Sequence, residues 1–199
     1  MKVGLADWEG VRAYFLQRLA NDLPANLPFH GLPRTRDDIL PTVEHYITKA
    51  QLIPEDALLL RTAALFYNAG YLERYDDNSA IAVRIANETL PSFGYTSSQI
   101  AAIGAMIIAV HPPQQPLTYL AELLCDADRD YLGREDYFAV SEALRLELMA
   151  HGHFYSQSAW REQQIAELSA QRYFTDLARQ LREQGLKLNL ARLTGSPRA

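Results

Sequence analysis

The chain has 199 residues, 48% of them hydrophobic, and a formal net charge of -5. That apolar share is too high for a disordered polymer. A general nucleic-acid binder would show a strong basic excess instead, though a small basic pocket stays open. The lone cysteine, Cys125, rules out an internal disulfide framework and a Cys-rich zinc site. It sits in an apolar run and reads as a small buried hydrophobe.

The start, Met1 to Glu9, has no apolar core of the signal-peptide kind. No run of eighteen apolar residues could span a membrane. A reducing, cytoplasmic setting is the default expectation, with no membrane partner.

Apolar residues recur at three- and four-residue spacing along the chain, so the expectation is all-α. A first helix runs from Asp7, its N-cap, to Leu23, where Pro24 stops it. Residues 24 to 36 hold three prolines and one glycine and read as a loop. A second helix covers 37 to 51, with Pro41 either in its first turn or at a kink. A third opens at Pro54-Glu55-Asp56, whose acidity suits the helix dipole, and is expected to end at Gly70.

A fourth helix spans 77 to 90. A fifth, nearly all apolar and therefore buried, runs from Ser98 to Val110 with Thr96 or Ser97 as cap. A sixth covers 117 to 126. Two long amphipathic helices follow, 134 to 150 and 157 to 184, and a frayed tail covers 194 to 199. No repeat or linker interrupts the pattern. The expectation is a single all-α domain over 1–199, with its core at about 25–185.

The segment Leu65-Phe66-Tyr67-Asn68-Ala69-Gly70-Tyr71 carries the most information. It resembles the L-[FL]-H-D-[IT]-G-[FY] segment of the HD superfamily of metal-dependent phosphohydrolases at every position except the His-Asp pair, where Tyr67 and Asn68 stand. Upstream, Phe29-His30-Gly31-Leu32-Pro33-Arg34-Thr35 resembles a Y-H-N-L-x-H-T segment, with Arg34 at the first metal ligand. Tyr75-Asp76-Asp77-Asn78 resembles a stretch that often carries another His, and Asn78 holds that place. Leu124-Cys125-Asp126-Ala127-Asp128 resembles the segment that supplies the last Asp ligand. Asp128 takes that role, with Asp126 the close alternative.

The resemblance implies an HD-like bundle and a remnant pocket of Arg34, Tyr67, Asn68, Asn78, His111, Asp126 and Asp128. Family members hold divalent ions that activate water and polarise a phosphoryl oxygen. The residue types here suit that poorly. A phenol with an unperturbed pKa of about 10 is a weak ligand near neutrality, and Asn offers only a neutral carbonyl. Arg34 repels a cation. At an effective dielectric of about 20, unit charges 4 Å apart interact by roughly 4 kcal/mol, and a dication doubles this.

The expectation is a catalytically silent module with no cofactor, in which Arg34 pairs with Asp128 or Asp126. Its remnant pocket could accept a nucleotide or another phosphate-bearing small molecule. If Arg34 is locked to Asp128, the pocket closes and recognition moves to a surface. The rival is a phosphohydrolase with a divalent metal on a shifted set: His30, His111, Asp126 and Asp128. A third reading is a homodimer built on the long C-terminal helix.

The histidines have plainer readings too: His111 as a helix-terminal group on backbone carbonyls, His30 as an ordinary loop residue, His45 as exposed. No cluster completes a zinc set around His151 and His153. The Asp126-Ala127-Asp128-Arg129-Asp130 run lacks the glycine and glutamate of an EF-hand.

Overall fold

The computed structural model describes residues 6–195. The reading of the first residues as lacking a signal peptide falls largely on 1–5, outside the described residues. The frayed tail falls mostly on 196–199, also outside them; Thr194 itself is the last residue of a helix.

Nine α-helices are present among the described residues, and no strand. Helix α1 (Trp8–Asp22) starts where Asp7 accepts from the Gly10 amide at 2.9 Å, a standard N-cap bond. The chain then loops to Pro33. A wide π-helical turn, Arg34–Ile39, leads directly into α2 (Leu40–Ala50). The loop expected to reach residue 36 thus ends three residues earlier, and Arg34 belongs to a helical turn. The wide turn falls just ahead of Pro41, which cannot donate the bond a regular α-turn requires there.

Helix α3 (Pro54–Phe66) stops short of Gly70. Gly70 lies in a tight turn, Ala69–Leu72, and is not a left-handed cap. Its role is close approach: a Cβ there would sit 2.2 Å from the Asn78 carbonyl oxygen. Helix α4 (Ser79–Thr89) packs against α5 (Ser97–Val110), and Thr96 caps α5 in a reciprocal box with Gln99.

Helix α6 (Tyr119–Asp128), capped by Thr118, ends at a turn over Asp130–Gly133, and α7 (Tyr137–Ala150) follows. One hydrophobic core draws on residues from α1 through α9, with α3 and α5 at its centre. The fold is therefore all-α with a single core. No helix among the described residues is long and apolar enough to cross a membrane.

The expected single helix over 157–184 is two. Helix α8 (Gln157–Ala170) ends at Gln171, whose backbone is extended, and α9 (Asp176–Thr194) restarts with Thr175 as cap. The periodicity continues across the break because both pieces bury apolar faces. What breaks the helix is a long-range anchor: Asp126 holds the amides of Phe174 and Thr175 at 2.8 and 2.9 Å and the Thr175 hydroxyl at 2.7 Å. Helix α9 folds back along α8 and over the 130–133 turn.

Candidate functional site

Arg34 is buried, 5% exposed, at the meeting of the π-helical turn and the end of α6. One terminal nitrogen bonds to Asp38. The other donates to the Asp128 carbonyl at 2.6 Å and lies 3.5 Å from an Asp128 carboxylate oxygen. Phe29 and Tyr131, themselves edge to face, both present ring faces to the guanidinium, with centroids 4.8 and 5.1 Å from its carbon, favourable cation–π contacts. Burial alone would lower the Arg34 pKa, but Tyr67, Asp38 and Asp128 raise it above its ordinary value. The group stays charged.

Each carboxylate beside Arg34 has a further cation. Asp38 also pairs with Arg134. Asp128 lies 3.4 Å from Arg129 and accepts from Gln114 at 3.3 Å. Arg129 in turn holds Glu167 at 2.5 Å. Asp130, fully buried, takes Arg182 at 2.7 Å and the Tyr46 hydroxyl at 3.1 Å. Asp128 at the end of α6 and Asp130 just after it are therefore each faced by arginines of the protein itself.

Tyr67 and Asn68 follow α3 directly and are both buried. Among the described residues, the Tyr67 hydroxyl and the Asn68 amide nitrogen find no hydrogen-bond partner, and neither does His111 Nε2. Burial pushes the Tyr67 phenol up, with Arg34 offsetting part of the rise. The phenol is protonated near neutrality. Burial likewise lowers the His111 pKa below 6.5, against the pull of Asp128, so the ring is neutral there. Arg34, Tyr67, Asn68, His111 and Asp128 thus gather in one region and present neutral donors around an internal ion pair.

The other expected pocket residues are engaged elsewhere. Asp126 is the anchor of the α8–α9 break, with both oxygens occupied. Asn78 donates to the Arg74 and Tyr75 carbonyls at 3.1 and 2.9 Å and closes its own turn. His30 is bonded through Nδ1 to Glu147 and through Nε2 to the Tyr71 hydroxyl at 3.0 Å, with the Tyr71 ring stacked on it. His45 is exposed. His151 stacks on Tyr75 at 3.6 Å between centroids.

Some residues that build this region went unread in the sequence. Asp38 is four residues from Arg34, the spacing of a helical ion pair, so the signal was present once the helix starts at Arg34. Arg134 and Glu147 gave none. Glu147 is fully buried on α7 and accepts the amides of Phe29 and His30, each at 2.8 Å. That staple fixes the loop delivering Arg34.

The donor chemistry does not fit the divalent ion that the HD resemblance implies. Where the resemblance reads the first ligand stands the Arg34 cation, and where it reads the His-Asp pair stand a protonated phenol and a neutral amide. The shifted set does not converge either, because His30 and Asp126 are bound to other partners. Among the described residues, no group of three or more His, Cys, Asp or Glu side chains is placed to hold a metal. No family model, curated protein or solved structure matches the chain.

Proposed function

We propose that this chain is an HD-like helical domain that has lost its metal chemistry and acts as a binding or regulatory module. One observation carries the reading: the Arg34 guanidinium, at the position the resemblance reads as the first metal ligand, is bound on both sides by Asp38 and Asp128. A metal entering there would have to displace a buried cation from two carboxylates, a step opposed by both charge repulsion and the loss of the pairs. A phosphate-bearing ligand meets a similar obstacle, since both terminal nitrogens of Arg34 are taken. Recognition then falls to a surface. An uncharged groove of about 1160 Å³ between α4, α5 and α6, with His111 at one end, is the kind of surface this leaves.

The test is elemental analysis of protein purified without chelator, joined to phosphomonoester and phosphodiester assays with added Mn²⁺ or Ni²⁺. The expected result is substoichiometric metal and no hydrolysis above the blank. A stoichiometric divalent ion that disappears in Asp128→Asn would falsify the proposal.

A further inference from the structure

The fold-back of α9 on α8 creates a second feature, remote in character from the Arg34 region. A cleft of about 500 Å³ opens between the two helices. Its floor is apolar: Leu168, Tyr173 and Leu186 are buried there, and Leu190 forms one wall. Its rim carries three cations, Arg172, Arg179 and Lys187, and one carboxylate, Glu183.

The rim cations are unequally compensated. Among the described residues, Arg172 donates to the Ser169 and Gln171 carbonyls, at 2.9 and 2.6 Å, and makes no salt bridge to a carboxylate. Arg179 shares itself between the Tyr173 and Phe174 carbonyls and Asp176, which is highly exposed. Lys187 pairs with Glu183 at 2.7 Å. Lys187, then Arg179 and Arg172, hold the Glu183 carboxyl below its ordinary value, so all three cations act on the same mouth. A protein of net charge -5 therefore presents a cationic rim over an apolar floor.

We propose that the α8–α9 cleft binds a single-chain anionic amphiphile, its alkyl chain on Leu168, Tyr173 and Leu186 and its anionic head on Arg172. Charge complementarity selects the head group, since Arg172 offers a planar fork whose hydrogen bonds go to carbonyls, while Glu183, which feels its charge, is bonded to Lys187. Size selects against a protein partner. Stable protein interfaces use about 20–30 residues a side, whereas ten residues line this cleft. Its volume falls within the roughly 300–1,000 Å³ typical of small-ligand sites.

The experiment uses the full chain and monomeric dodecanoate, followed by titration calorimetry and amide chemical shifts. One saturable equivalent is expected, with shifts centred on 168–190. Arg172→Glu should weaken binding by about tenfold or more, the scale of one lost charge-assisted hydrogen bond. Leu190→Gln should weaken it through the wall. Arg84→Glu, on α4 and outside the cleft, should leave it unchanged. Circular dichroism checks that each variant is folded, and Lys187→Glu stands in for Arg172→Glu if that chain is not. Equal binding of dodecyltrimethylammonium overturns the proposal. So does indifference to both charge reversals, or binding only to anionic phospholipid vesicles with none to monomeric dodecanoate.

Discussion

One oxygen of Asp126 accepts both the amide and the hydroxyl of Thr175, at 2.9 and 2.7 Å. The same hydroxyl then accepts from the Ala178 amide at 3.1 Å and starts α9. A carboxylate that the sequence pattern offers as a metal ligand is thus the fastening for a helix break. Asp126→Asn keeps the size of the side chain but turns an acceptor into a donor facing amide hydrogens. A loss of about 1–3 kcal/mol is expected, the cost of buried polar groups left unpaired. Urea unfolding measures it. A variant as stable as the parent would mean the break is held by packing alone.

Arg34 is the more consequential position. Arg34→Met removes the cation and leaves Asp38 and Asp128 without it, at an expected cost of about 3–5 kcal/mol. Asp38 retains Arg134 and Asp128 retains Arg129, which keeps the loss toward the lower end. Asp128→Asn alone should cost less, and the double variant should be milder than the sum by about 0.5 kcal/mol or more. Strict additivity in a double-mutant cycle would show that the two side chains do not interact in solution.

Acid should unfold this protein through two carboxylates, the partly buried Asp38 and the buried Glu147. Burial pushes the Asp38 carboxyl up, but Arg34 and Arg134 outweigh it and hold it below 3.8. Burial also raises Glu147, and His30 with the Phe29 and His30 amides outweighs it, holding the group below 4.5. A depressed carboxyl stabilises the fold above its unfolded value and loses that contribution as pH falls through its folded value. Stability should therefore be held above about pH 5 and fall below about pH 4. Asp126 and Glu167, which burial pushes up, act with the opposite sign, so the informative quantity is a difference. The fall should be shallower in Asp38→Asn than in the parent, and identical slopes would remove Asp38 from the account.

Gly185 offers a test with an inverted sign. Glycine to alanine inside a helix ordinarily stabilises by about 1 kcal/mol. Here a Cβ on Gly185 would lie 1.9 Å from the Gly133 carbonyl oxygen, and one on Gly133 would lie 2.5 Å from the Arg182 carbonyl oxygen. Helix α9 crosses the 130–133 turn backbone to backbone. Gly185→Ala should therefore destabilise by roughly 1–3 kcal/mol, the range for overpacking a filled site. Thermal melts decide it; a rise in Tm would show that α9 does not lie this close.

Much of the helical frame was legible because its signals are local. Asp7 and Thr96 cap the helices that follow them, and the α5 apolar run is buried as its composition requires. The Arg34–Asp128 pair was legible as charge logic, since a partly buried carboxylate without a metal needs a cation or a proton. The α8–α9 break was not, because Asp126 is about fifty residues away and the apolar period runs through it. Glu147 was hidden for the same reason. On an amphipathic helix a glutamate reads as solvated, and only the loop amides of Phe29 and His30 explain its burial. Asn78 and Asp126 show the limit of pattern matching: each stands where the resemblance offers a site residue, while its bonds go to its own backbone or to a distant cap.

The sharpest test of the HD-like proposal puts the missing donors back. In Arg34→His/Tyr67→His/Asn68→Asp, the cation goes and two imidazoles and a carboxylate join Asp128. Asp38 keeps Arg134 and Asp128 keeps Arg129, so the only carboxylate waiting for the metal in the apo form is the one introduced at position 68. Neutral imidazole and carboxylate suit Mn²⁺, Co²⁺ or Zn²⁺, and metal binding should appear at one equivalent where the parent shows none. It should rise with pH as the new histidines lose their protons. Adding Asp128→Asn should abolish it, which ties the gained site to that residue rather than to histidines in general. Equilibrium dialysis with elemental analysis measures both. If the triple variant folds, judged by circular dichroism, and still takes up no metal, the residues do not stand at a former metal centre and the family reading fails with them.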